Sequence, residues 1–319
     1  MKRLLFALGV FGLAANLAAE AVKVDPAIPG YQKVSGVSGS IGSVGSDTMN
    51  NLMTFWGESF QKLYPNVRIQ IEGKGSSTAP PALIAGTSQF GPMSRAMKST
   101  EIDQFEHKYG YRPTQMRTSY DALAVYVNKD NPLEKLTLTQ ADSVFSKTRK
   151  RAGKNVATWG DLGLKGDWAN RPISLYGRNS ASGTYGFFKE HVMENGDYRD
   201  TVKEQPGSAS VVQGVTEDRF GMGYSGIGYR TSGVKNLALA VKEGGAFSNG
   251  SYEDVTSGRY PLARFLYLYV NRAPNKPLDP LVREFVKFIL SREGQEIVIK
   301  DGYLPLSAAI VKEELAKLQ

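Results

Sequence analysis

At 319 residues the chain exceeds what one hydrophobic core usually organises, so two domains are expected. It has no cysteine, which excludes disulfides, thiolate metal centres, a cysteine nucleophile and a lipidated-cysteine anchor. Hydrophobic residues at 41%, charged residues at 22% and a formal charge of +8 describe an ordinary soluble chain with a basic excess.

Lys2 and Arg3, an apolar run over 4–17 and the small-x-small triplet Ala19-Glu20-Ala21 read as an export signal over residues 1–21, cleaved near Ala21. Without it, 37 basic residues face 30 acidic ones, a net charge of +7. For a chain exported to a periplasm, or released outside the cell, that excess suits a small anionic ligand better than nucleic acid. No later stretch approaches the ~20 apolar residues of a membrane-spanning helix.

A Gly/Ser-rich run over 35–46 leads into a helical stripe over 50–64 carrying Leu52, Met53, Phe55, Trp56, Phe60 and Leu63. Val67, Ile69 and Ile71 alternate with Arg68 and Gln70 as in a strand. A helix is predicted over 99–109, capped by Ser99 or Thr100 and stopped at Gly110. The apolar run 123–127 ends in Asn128 and reads as a buried strand. The basic run 147–154 (KTRKRAGK) is expected to be a solvated loop. A short strand over 173–176 precedes a helix from Gly183. A second apolar strand covers 265–270 and ends in Asn271, one amphipathic helix covers 284–299, and a last helix starts near Ser307. Strands alternating with helices argue for an α/β fold with mainly parallel sheets.

Four hydroxyl-rich turns stand just before predicted helices: Gly45-Ser46-Asp47-Thr48, the 73–78 turn (GKGSST), Met93-Ser94-Arg95, and the 177–184 turn (GRNSASGT). Helix N-termini present unpaired N–H groups and partial positive charge, hydroxyls add donors, and glycine lets backbone approach closely. Arg178 adds a fork of donors that can hold two oxygens. One such turn alone is an ordinary cap. Four in one exported chain point to an oxyanion site. Other chemistry finds little support. No GxxxxGK[ST] loop is present, Gly223 to Ile227 falls short of the hydrolase elbow GxSxG, and His107 and His191 are the only histidines.

With these turns the chain resembles the phosphate-binding proteins of high-affinity phosphate ABC transporters, the PstS family. The likeness runs through Val44 to Thr48, Ser182-Gly183-Thr184, Gly226-Ile227-Gly228-Tyr229, Tyr260-Pro261-Leu262-Ala263-Arg264 and Asp301-Gly302-Tyr303. It implies the periplasmic binding protein type II fold, two α/β lobes joined by two crossover strands. Lobe I would combine 36–124 with 268–319, and lobe II would be 125–267. By position, Thr48, the amide of Met49, and Ser76 would contact phosphate from lobe I; Arg178, Ser182, Gly183 and Thr184 would do so from lobe II. The implied partners are inorganic phosphate and the membrane permease of an ABC importer. The protein would be monomeric, without cofactor, metal or reaction of its own. Sulfate, molybdate or a phosphonate are alternative cargoes; an exported phosphatase or an extracellular adhesive protein are more distant readings.

Two positions depart from some members, which carry an aspartate at the position of Ser94 and an acid at that of Ser180. The first matters because phosphate near neutral pH keeps a proton to donate and sulfate does not. A buried acceptor left unpaired by sulfate costs about 1–3 kcal/mol. Asp121, at the start of the first crossover strand, is the expected substitute acceptor, with Asp47 second.

Overall fold

The computed structural model describes residues 21–318; the expected export signal lies outside them apart from Ala21. Three strand–helix units open the chain: β1 (Gly39–Val44) with α1 (Asn50–Leu63), β2 (Val67–Glu72) with α2 (Ala79–Ala85), and β3 (Phe90–Met93) with α3 (Ser99–Tyr109). β1 lies parallel between β2 and β3, because each helix carries the chain back to start the next strand at the same end of the sheet. Gly110 adopts the left-handed conformation that stops α3, as its position predicts.

β4 (Thr114–Asn128) follows, then β5 (Lys135–Thr137), α4 (Leu138–Phe145), β6 (Ser174–Arg178), α5 (Gly183–His191), β7 (Lys203–Gln205), α6 (Ser208–Glu217) and β8 (Gly221–Gly226). β9 (Val234–Asn236), β10 (Ala238–Ala240), α7 (Tyr252–Thr256), β11 (Ala263–Val270), α8 (Pro280–Ile289), α9 (Arg292–Lys300) and α10 (Ala308–Ala316) complete it. The main sheet runs β2-β1-β3-β11-β4-β8-β6-β7, with β9 also on β4 and a small separate β5–β10 pair.

The sheet is mixed rather than mainly parallel. β11 is antiparallel to both β3 and β4, and β4 is antiparallel to β8 and β9, because β11 returns against the direction that β3 and β4 share and β4 enters the second half of the sheet against the direction of β6 and β8. The strand expected over 123–127 is the second half of the 15-residue β4. Its first half escapes an apolar pattern because its polar side chains have buried partners. Arg117 pairs with Glu314, the Thr118 hydroxyl donates to Leu266 O, and Asp121 pairs with Arg264. The helix expected over 284–299 is broken. Ser291 caps α9 by accepting from Gly294 N, and a side chain at Gly294 would stand 2.2 Å from Phe288 O. The basic run 147–154 keeps its lysines exposed, but Arg151 turns inward and donates to the carbonyls of His191 and Val192 at the end of α5.

Two large apolar cores result, each with a smaller apolar cluster beside the sheet. One packs Trp56, Phe60, Phe90, Phe285 and Phe288; the other packs Phe145, Trp159, Phe188 and Tyr224. β4 passes between them and changes partner on the way: Ala122 pairs with Ala263 of β11, and Leu123 with Gly226 of β8. Leu123 N donates to Leu262 O at 3.0 Å at that point.

Trp56 is fully buried and donates to Gly294 O at 2.8 Å, so it ties α1 to α9. Trp56→Ala is expected to cost about 3–5 kcal/mol of unfolding free energy, measured by urea titration.

Candidate functional site

The four hydroxyl-rich turns meet where the two cores adjoin. Asp47–Met49 is a single 3-10 turn between β1 and α1 in which Thr48 and Met49 are buried. Gly45 permits it, because a side chain there would stand 2.2 Å from Pro92 O. Two tyrosines grip the turn from outside: Tyr303 donates to Thr48 O at 2.9 Å and Tyr229 to Asp47 O at 3.0 Å. Met49 N–H already donates to Ser46 O at 3.2 Å, so the amide expected as a ligand has an internal partner.

The second turn, Ser76–Thr78, begins after Gly75 at φ +115°, a conformation that favours glycine. Ser76 Oγ accepts from Ser94 N at 3.0 Å and lies 3.3 Å from Ser94 Oγ, which joins the second and third turns. Across the joint, Ser182 caps α5 by accepting from Thr184 N and Tyr185 N; its own hydroxyl hydrogen stays free to donate. Gly183 sits so close that a side chain there would stand 2.3 Å from Ser76 Oγ and 2.7 Å from Ser94 Oγ. Thr184 Oγ1 is 2.9 Å from Thr48 Oγ1. Thr48, Ser76, Ser94, Ser182, Gly183 and Thr184 are therefore one buried cluster drawn from both cores.

Two arginines flank it. Arg178, 1% exposed, donates Nη1 to Ser208 Oγ at 2.7 Å and Nη2 to Pro206 O at 3.1 Å, and Nη2 lies 3.1 Å from Asp47 Oδ2. Its Nε is buried and has no acceptor among the described residues. Burial pushes its pKa down from the ordinary arginine value, and the Asp47 carboxylate opposes that shift. The second, Arg264, was missed as a site residue, although the motif Tyr260 to Arg264 held it. It donates Nη1 to Ser94 O at 2.8 Å and Nη2 to Thr184 Oγ1 at 3.0 Å, so it bridges the third and fourth turns. An arginine opening the otherwise apolar run of β11 was the available signal.

Asp121 stands in the cluster, but not as the free acceptor expected of it. Its Oδ2 accepts from Arg264 Nε at 2.8 Å and Nη2 at 2.6 Å, and its Oδ1 accepts from Ile227 N at 3.2 Å. Register explains this, because Asp121 and Arg264 are directly opposed across β4 and β11. Two arginines and two aspartates leave the cluster with no net charge. Its capacity to hold an anion rests on hydroxyl and N–H donors and on the start of α5. His107 and His191 are both exposed, and no group of metal ligands occurs among the described residues.

A cleft of about 710 Å³ adjoins the cluster, with Arg95, Lys98, Ser182, Lys189 and Arg264 in its walls. Ser94 faces inward, while its neighbour Arg95 is held away by Glu101 at 2.6 Å. On the opposite side, Asp301 ends α9 against the loop after β8, where a side chain at Gly228 would stand 2.6 Å from Asp301 O. Burial pushes the Asp301 carboxyl from 3.8 up to about 7, and its Oδ2 has no partner among the described residues.

Comparison with known proteins gives a consistent result. The PBP superfamily domain matches residues 32–293. The phosphate-binding protein PstS of Pseudomonas aeruginosa is 56% identical over 319 residues, covering 100% of this chain and 99% of the relative. PstS of Staphylococcus haemolyticus is 30% identical, over 86% of this chain and 83% of that one. A phosphate-bound ABC transporter substrate-binding protein from Clostridium perfringens superposes with a TM-score of 0.71 at 25% identity, covering 84% of this chain and all of its own.

Gly183→Ala is expected to leave both cores folded and to hold the turns apart. Small-angle scattering checks this as a larger radius of gyration, with the unfolding transition retained. Asp301 gives a second outcome. Its folded pKa, about 7, lies above the ordinary 3.8, so the folded form binds more protons in between, and stability falls as pH rises through that window. Asp301→Asn should flatten the thermal midpoint between pH 4 and 7 and raise it above pH 7.

Proposed function

The chain belongs to the PstS family of phosphate-binding proteins within the PBP superfamily, and on that premise we propose that it captures inorganic phosphate in the periplasm and presents it to the permease of an ABC importer. The observation that carries this reading is the buried, two-sided hydroxyl cluster beside Arg178, whose Nε is a donor without an acceptor among the described residues. A buried donor is costly to leave unpaired, and an oxyanion supplies several acceptors at once. The hydroxyls of Thr48, Ser76 and Ser94 would meet phosphate from one lobe. Arg178, the Ser182 and Thr184 hydroxyls and the Gly183 amide, the first of α5 and so without an intrahelical acceptor, would meet it from the other.

Capture needs no reaction. The anion touches donors of both lobes only when they are together, so it draws them closed, and the closed form is what a permease would recognise. We place the hinge where β4 changes partner, at Ala122/Leu123, with Leu262/Ala263 beside it. That divides the chain slightly earlier at both crossings than boundaries at 124 and 268. The protein acts as an exported monomer on this reading.

One observation favours a second reading of the cargo. Both carboxylates of the cluster are already paired with arginines, Asp47 with Arg178 and Asp121 with Arg264, so no unpaired carboxylate is set aside for the proton of phosphate. Sulfate fits the same donors. Calorimetric titration of protein refolded from denaturant, with phosphate and then with phosphate in excess sulfate, decides between them. Tight phosphate binding that survives sulfate supports phosphate capture; displacement by sulfate would assign the site to another oxyanion.

Arg178→Met is expected to weaken phosphate binding by roughly 10–100-fold, the scale of one or two charge-assisted hydrogen bonds, in the same titration. Because the site is buried and its charges balance, phosphate affinity should change little between low salt and about 0.5 M sodium chloride.

A further inference from the structure

Asp47 belongs to the first core by sequence and to the second by its contacts. Its Oδ2 accepts from Ser208 N at 2.8 Å and lies 3.1 Å from Arg178 Nη2; its main-chain oxygen accepts from Tyr229 at 3.0 Å. Ser208 is the first residue of α6, so this carboxylate occupies the positive end of a helix in the opposite lobe. The residue before it, Gly207, admits the approach: a side chain there would stand 3.2 Å from Asp47 Oδ1. Among the ion pairs of the described residues, Asp47 is the carboxylate that faces Arg178.

We propose that Asp47 is an interlobe latch, a positioning residue that holds Arg178 and α6 in the closed form and so sets how long the anion stays bound. The proposal rests on the phosphate-capture reading for its ligand. Three contacts made by Asp47 exist only while the lobes are together, and none of them uses the anion. In the open form Arg178 keeps Ser208 Oγ and Pro206 O, while its side toward Asp47 and the start of α6 face water. On closure they lose that water, and Asp47 replaces it with charge and two acceptor contacts. The latch therefore acts after encounter. It slows opening and leaves the rate of anion arrival almost untouched.

That division between rates distinguishes a latch from a ligand or a merely structural residue. Stopped-flow measurement on the full mature chain gives phosphate association and dissociation rates for the parent, Asp47→Asn and Gly207→Ala. The asparagine keeps an acceptor for Ser208 N and removes the charge facing Arg178; the alanine crowds Asp47 without altering any donor to the anion. Expected are a dissociation rate raised roughly tenfold or more in Asp47→Asn and by a smaller factor in Gly207→Ala, with association unchanged within about threefold. The double variant should be no worse than Asp47→Asn, because both changes act on one contact. An unchanged dissociation rate in folded Asp47→Asn overturns the proposal, as does a loss confined to association. Should the parent bind no phosphate at all, the functional reading fails separately. Scattering without added anion then decides the latch: a more expanded Asp47→Asn supports it, and equal radii overturn it.

Discussion

The architecture turns on the ion pair between Asp121 and Arg264, two residues directly opposed where β4 and β11 leave one core for the other. Both are almost wholly buried, so each needs the other, since a buried charge without its partner is costly by about 3–5 kcal/mol. Once paired, the arginine has donors to spare. It directs them to Ser94 O and the Thr184 hydroxyl, fixing two of the four turns relative to the strands that carry the hinge.

The same logic repeats on the other side of the cluster with Arg178 and Asp47, but the two pairs differ in kind. Asp121 and Arg264 lie on neighbouring strands and stay together whatever the lobes do. Asp47 and Arg178 sit on turns 131 positions apart in sequence, and on the proposed reading they meet only when the lobes close. One pair builds the cluster, and the other is part of what the proposed closure would complete. With both arginines compensated, recognition of the proposed anion would fall to hydroxyls, amides and the start of α5, groups that are directional and little affected by salt.

Close approach of backbone at the joint is what makes the cluster two-sided. Gly183 against Ser76 and Ser94, and Gly75 against Ala181, leave no room for a methyl group on either face. Gly228 against Asp301 and Tyr303 does the same on the side of the hinge, which gives the Gly226-Ile227-Gly228-Tyr229 and Asp301-Gly302-Tyr303 motifs a physical meaning as two halves of one contact. Tyr229 and Tyr303 then converge on the turn that carries Thr48.

Much of this was legible in the sequence, because local patterns answer to local physics. The stripe of α1, the alternation of β2, the stop at Gly110 and a last helix starting near Ser307 follow from side-chain periodicity and backbone preference, and the four turns stood out as hydroxyl-rich segments placed before helices. Tertiary structure decided the rest. The first half of β4 was hidden because Arg117, Thr118 and Asp121 find their partners up to 197 residues away. The break between α8 and α9 depends on Gly294 packing against Phe288 O. Arg264 showed only as an arginine opening an apolar run; that Asp121 is its counter-ion could not be known, because which charge meets which is settled by strand register. A sequence displays the donors it owns; only the fold determines which of them are already taken.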